Sequence, residues 1–338
     1  MEQFEDLESL LSSMFSQKIE KVHQLTAEGT LASSREYVKV VFEDGTVKHC
    51  FLKVRRAGSQ NEAIDQVFKL FERETLMYTK VVPILAESLK TQSKGTASKD
   101  TIDIRELFPK YYGSGKINND LFLVFEDILT GSETFVTSKT AFHTESQIML
   151  TLYHLGTFHA SSYLYKLQNK TNFLETYPAL DAPVFHPDRV GSISDFFQGT
   201  FVKNLKIIQC VVAAYKNKNK IVCSKLSNMC EEEDIEKLLD VGDSLMEKVF
   251  QLLKPSSSSV ITHGDFHMWN IAFDREPPTA VTMFDLQGSR VSSGVNDIVQ
   301  YLYQVTTPTT RPHHLLQQYF REYCKVYPKP SAVNTILL

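Results

Sequence analysis

The nine residues His263-Gly264-Asp265-Phe266-His267-Met268-Trp269-Asn270-Ile271 constrain this chain more than any other stretch. They hold His-x-Asp with an Asn five residues after the Asp. A short apolar run, Val281-Thr282-Met283-Phe284, then delivers a second carboxylate, Asp285. Phosphoryl transfer needs this set. One carboxylate orients or deprotonates the attacking hydroxyl, and a carboxylate with an amide oxygen holds Mg²⁺ against nucleotide phosphates. Asp265 then reads as the base, and Asn270 and Asp285 as the metal ligands. The rival readings are structural: His263 and Asp265 could brace a loop, and Asp285 could cap a strand end. A zinc reading of His263 and His267 fails, because the helical His-Glu-x-x-His arrangement needs a Glu where Gly264 stands.

His-x-Asp-x-x-x-x-Asn is the spacing of the kinase catalytic loop. Asp285-Leu286-Gln287 departs from the Asp-Phe-Gly of protein kinases and resembles the choline-kinase and aminoglycoside-phosphotransferase branch of that fold. Asp285-Leu286-Gln287-Gly288-Ser289-Arg290, with Asp297-Ile298 after it, is similar to the ecdysteroid kinase-like family, which reads Asp-Phe-Gln-x-x-Arg and then Asp-Leu. Asp297 reads equally as the N-cap of a helix from Ile298. The resemblance implies a two-lobed α+β kinase-like fold. A small antiparallel-sheet N-lobe would span 1–127 and a mainly helical C-lobe 128–338. It also implies ATP and Mg²⁺ as cofactors and a small-molecule hydroxyl as acceptor.

Apolar spacing predicts a helix over 4–20. A strand entry at 22–25 is followed by alternating strands at 37–42 and 49–54, joined by an Asp44-Gly45 turn. Lys53 lies in the apolar run Phe51-Leu52-Lys53-Val54, where a charge is costly unless paired. Its partner should be a carboxylate on the helix predicted over 62–79. The similarity of Phe71-Glu72-Arg73-Glu74 and Tyr78 to the family's Phe-x-x-Glu-x-x-x-Tyr selects Glu74 over Glu72. By resemblance, Lys53 and Glu74 position the phosphates, and Gly29 to Ser34 is the phosphate loop, with Ser34 in contact. This loop has one glycine, and Leu31 stands where the family commonly has Asn. Leu121 to Ile128 reads as a buried strand whose Glu126 and Asp127 resemble the family's hinge, where the backbone holds adenine. Farther on, helices are predicted over 144–165, 194–216, 231–254, 297–305 and 312–326. His159, in the family-like Phe158-His159-Ala160, reads as a core histidine. The acidic run 231–234 suits a helix start.

A net charge of −4 argues against a nucleic-acid partner. No apolar run approaches the roughly 20 residues of a membrane span. Five irregularly spaced cysteines suggest neither a disulfide framework nor a zinc ribbon. The expected setting is cytoplasmic, with a small-molecule hydroxyl substrate as the partner. Phe196, Phe197, Phe201, Tyr215, Tyr301 and Tyr303 are candidates for an acceptor wall. Such a wall favours a lipophilic alcohol such as an ecdysteroid over an aminoglycoside, which would call for several carboxylates. His267 stands where the family commonly has Trp. Alternatives are a choline- or ethanolamine-type kinase and a non-catalytic nucleotide- or ligand-binding protein. A protein kinase is disfavoured by the absent Asp-Phe-Gly and Ala-Pro-Glu segments.

Overall fold

Period-two alternation builds the first sheet. In the computed structural model, helix α1 (Glu2–Phe15) precedes strands β1 (Ile19–Gly29), β2 (Ser34–Phe42) and β3 (Val47–Arg55), and β4 (Tyr111–Ile117) and β5 (Asp120–Glu126) complete an antiparallel sheet in the order β1-β2-β3-β5-β4. Val38, Val40 and Phe42 of β2, with Cys50, Leu52 and Val54 of β3, are buried in one cluster with Leu7 and Leu11 of α1. Their alternates, Arg35, Tyr37, Phe51 and Lys53, face a cleft on the other side. Gly115 lets α1 lie against β4, because a Cβ there would sit 2.2 Å from Leu10 Cδ1. Asn118 and Asn119 turn β4 into β5 with φ of 48° and 76°, the double left-handed conformation that tight hairpins favour.

The structure describes residues 2–29, 33–93, 103–129, 142–170, 172–181 and 251–306, with 203, 206, 248, 315–317 and 319–321. Most of the helices expected over 194–216 and 231–254, and Phe196, Phe197, Phe201 and Tyr215, lie outside these; of the described positions within them, 203, 206, 248 and 251–253 are helical. By contact the chain forms two units, Met1–Asp181 with Ser256–Leu338, and Ala182–Pro255. Every element named here belongs to the first unit, and the boundary expected at 127/128 falls inside it, just after β5.

The single helix expected over 62–79 is two: α2 (Gln60–Phe68) and α3 (Leu70–Leu76), followed by a π-helical turn at Met77–Val81 and by α4 (Val82–Ser93). The break is at Lys69, whose φ is 54°. Asp65 makes it tenable: its backbone carbonyl accepts the Lys69 N–H, and its Oδ1 accepts the Phe71 N–H at 2.8 Å, capping the new helix.

Helix α5 (Glu145–Asn169) opens on a capping box of Thr144 and Gln147, and the short α6 (Phe173–Thr176) follows. Two small ladders come next: β6 (Val260–Thr262) pairs with β9 (Arg290–Ser292), and β7 (Ile271–Phe273) with β8 (Val281–Met283). The chain then enters α7 (Val295–Val305). Leu152, Leu155 and Phe158 of α5 share one core with Phe266, Ile271, Met283, Ile298 and Tyr301. Tyr301 is fully buried there, against Phe266 and His143, so it is core and not acceptor wall. The arrangement is α+β and kinase-like: a five-stranded antiparallel sheet with its helices, then a part with helices and short ladders. Among the described residues no helix is long and apolar enough to cross a membrane.

Candidate active site

Two loops hold Asp265, Asn270 and Asp285, and the small ladders fix both. Residues 263–270 run from β6 to β7, and 284–289 run from β8 to β9. Ile271 pairs with Met283, and the Phe284 N–H donates to the Asn270 carbonyl at 3.0 Å. Asn270 and Asp285 therefore sit at the same end of one ladder. Gly264 has φ 83°, and a Cβ there would fall 1.8 Å from the Gly288 carbonyl oxygen. Only glycine lets the two loops approach this closely.

The first loop is braced from behind. Asp297 accepts the N–H of His263 at 2.7 Å on Oδ2 and that of Gly264 at 3.0 Å on Oδ1, and His159 Nε2 lies 3.0 Å from Oδ2. Burial works to raise the Asp297 pKa, but the bond and charge of His159 hold it below the usual range. Asp297 is thus a loop anchor in the first turn of α7 rather than its N-cap. His159, fully buried, also meets the Tyr319 hydroxyl at 2.8 Å. Arg290 Nη1 donates to the Gly264 carbonyl at 2.9 Å. His263 Nε2 donates to the Phe284 carbonyl at 2.9 Å, and burial keeps its pKa low, so the ring is neutral. Gln300 accepts the Phe266 N–H at 3.1 Å and donates to Asp265 Oδ1 at 3.0 Å, which fixes that carboxylate. The Asp265 side chain remains 42% exposed, with His267 Nε2 at 3.6 Å from Oδ2. Asn270 Nδ2 donates to the Asp265 carbonyl at 3.0 Å, which leaves its amide oxygen for another partner.

The sheet delivers the cation. Lys53 Nζ is 2.7 Å from Glu74 Oε2 and 2.6 Å from Asp285 Oδ1, with all three side chains largely buried. Glu72, by contrast, is exposed. Burial would discharge Lys53, but the two carboxylates hold its pKa up. Burial likewise works against ionised Asp285, but the Lys53 charge and bond keep it ionised. Glu74 goes the other way: desolvation outweighs Lys53 and lifts it to about 7. Arg73 holds α3 in place, donating to the carbonyls of Ala179 and Gln287 at 2.7 and 3.0 Å. Asp285 has φ 70°, a left-handed backbone that costs a non-glycine residue about 1–3 kcal/mol and that recurs at functional sites.

Arg35, Tyr37, Phe51, Lys53, Phe125 and Asp285 are among the residues lining the cleft between the sheet and these loops, and Glu126 and Asp127 lie at its edge. The N–H groups of Glu126 and Asp127 already donate to the carbonyls of Lys110 and His49. Any backbone bond from these two to an adenine would use their carbonyl oxygens. Ser34 is not among the described residues that line the cleft; strand alternation turns Arg35 into it instead. Of the expected site residues, the structure brings together Lys53, Glu74 and Asp285 by direct contact, and Asp265 and Asn270 by a bond within one loop.

The donor set suits Mg²⁺ in kind. Asp285 Oδ2, the Asn270 amide oxygen and Gln287 Oε1, which is buried with no partner among the described residues, are hard oxygen donors of the kind this cation takes. Among the described residues no group of three or more His, Cys, Asp and Glu could hold a metal. The remaining ligands would have to come from phosphate or water, as is usual for this ion.

The sequence profile of the ecdysteroid kinase-like family matches residues 31–327. A comparison with curated proteins found no match. Similar solved structures include amicoumacin kinase hAmiN in complex with AMP-PNP, Ca²⁺ and Ami, 15% identical over 97% of this chain and 80% of that one, TM-score 0.43. Others are an aminoglycoside-3'-phosphotransferase of type VIII (13%, 99% and 96%, TM-score 0.42) and an ethanolamine kinase of Plasmodium vivax (13%, 90% and 72%, TM-score 0.44).

Proposed function

The chain belongs to the ecdysteroid kinase-like family, and from that membership we propose that it is an ATP- and Mg²⁺-dependent phosphotransferase acting on a hydroxyl of a small lipophilic alcohol. The observation that carries the reading is Lys53 Nζ held at 2.7 Å by Glu74 and 2.6 Å by Asp285. A buried ammonium fixed by a helix carboxylate at the mouth of a metal-type loop is built to orient phosphates. Bound Mg²⁺ supplies neutralisation of the phosphate charge. Asn270 and Asp285 would hold it, with Gln287 nearby. Asp265, steadied by Gln300 and open to solvent on its other side, would accept the hydroxyl proton of the acceptor. The hinge backbone at Glu126 and Asp127 would hold the base of the nucleotide.

Trp269 supports a lipophilic acceptor. It lies four residues after Asp265, is 64% exposed, and meets the His267 ring edge-on at 5.7 Å. An exposed indole beside the base offers an apolar face to a flat alcohol. The test is ADP release in the presence of Mg²⁺-ATP and a panel of steroid alcohols, choline, ethanolamine and aminoglycosides. Lipophilic alcohols should be turned over best. Choline or an aminoglycoside turned over best would overturn the acceptor class while leaving phosphoryl transfer intact.

A further inference from the structure

Arg35 and Lys53 are directly opposed across β2 and β3, on the face that lines the cleft. Like charges opposite each other on a sheet repel and destabilise the pair. Lys53 escapes that cost through Glu74 and Asp285. Arg35 does not: among the described residues its guanidinium has no hydrogen bond or ion pair, whereas Arg55 and Arg56 on the same sheet are tied to Asp65 and Asp120 at 2.7 and 2.6 Å. A half-buried arginine with no partner among the described residues, in a cleft beside a second cation, is arranged for an anion that comes and goes. The supply of other donors is thin. The stretch Gly29-Thr30-Leu31-Ala32-Ser33-Ser34 has one glycine, where loops that wrap phosphates with backbone N–H groups are glycine-rich. Lys53 is already engaged by Glu74 and Asp285.

We propose that Arg35 is a phosphate-binding residue of the nucleotide site, supplying from strand β2 the positive charge that the glycine-poor loop does not. The proposal rests on the nucleotide reading of the cleft. The planar guanidinium can donate two parallel bonds to phosphate oxygens, which a lysine cannot. Arg35 and Asp285 line the same cleft.

The test is calorimetric titration of the full chain with Mg²⁺-ATP and with adenosine, for the wild type, Arg35→Ala and Arg35→Lys. Arg35→Ala should weaken ATP about tenfold to a hundredfold, the range for a charge-assisted hydrogen bond. Adenosine binding should be unchanged, and Arg35→Lys should recover only part of the loss. With no nucleotide present, Arg35→Ala should melt at or above the wild-type temperature, because an unpaired cation opposite Lys53 has gone. An unchanged ATP affinity, or equal weakening of ATP and adenosine, would overturn the role of Arg35 while leaving the nucleotide site standing. A wild type that binds neither ligand would overturn the nucleotide reading itself, and this proposal with it.

Discussion

Lys53, Glu74 and Asp285 form one charged unit, and removing its members should not cost the same. Lys53→Ala leaves two carboxylates buried together, whereas Glu74→Ala leaves the Lys53–Asp285 pair intact. Breaking a buried pair so that one charge is stranded costs about 3–5 kcal/mol, so Lys53→Ala should be clearly the less stable in urea unfolding. The two substitutions should also be non-additive in kcat/KM, since each disables the same proposed phosphate-positioning pair; additive losses would mean that the residues act separately. The pH dependence follows from Glu74, lifted from 4.5 to about 7. A carboxyl whose folded pKa is raised contributes stability that is full below about 4.5 and is lost as the pH rises through about 7. Buried neutral His143 and His154, lowered to about 4, act oppositely, losing stability as the pH falls from 6.5. They are common to both proteins, so the melting-temperature difference between wild type and Glu74→Gln should shrink from pH 4.5 to 7.5. Parallel curves would contradict the raised pKa. Lys53 was legible because a charge in an apolar run must be paired, and Asp285 because it follows the His-x-Asp and Asn residues in kinase order. Arg35 and Gln300 were not: nothing local marks a strand arginine as unpaired, and Gln300 meets Asp265 across thirty-five positions.

At the scale of elements, the two loops cross closely at Gly264 and Gly288. Gly264→Ala meets both a left-handed φ and a backbone oxygen at 1.8 Å. Backbone strain of about 1–3 kcal/mol and overpacking of similar size should add. We expect a loss of several kcal/mol in urea unfolding; a shift of less than about 1 kcal/mol would mean that the loops part easily. Strands β2 and β3 were readable from alternation, and the turn between them from Asp44-Gly45. The break at Lys69 was not, because lysine favours helices and the cause, an Asp65 side chain reaching the Phe71 N–H, is a contact that periodicity does not encode. Asp297 showed the same limit: an acid at the start of a helix suggests a cap, and only the fold reveals the His263 and Gly264 N–H groups it receives.

For the molecule as a whole, sequence placed the charged residues in kinase order, and the fold closes them into one site by docking a sheet lysine onto a loop carboxylate more than two hundred residues away. The acceptor side was less legible, because its expected aromatic wall falls partly outside the described residues and Tyr301 proved to be core. The central claim is that Asp265 activates an acceptor hydroxyl toward a nucleotide held by the rest of the site. The most direct measurement follows transfer of the γ-phosphoryl group to a lipophilic alcohol by wild type and Asp265→Asn, with Mg²⁺-ATP affinity determined in parallel. Transfer by the variant should fall about 10²–10⁴-fold, the range for a positioned base, with nucleotide affinity preserved. Near-normal transfer by Asp265→Asn, or no acceptor-dependent transfer by a wild type that binds Mg²⁺-ATP, would contradict the account.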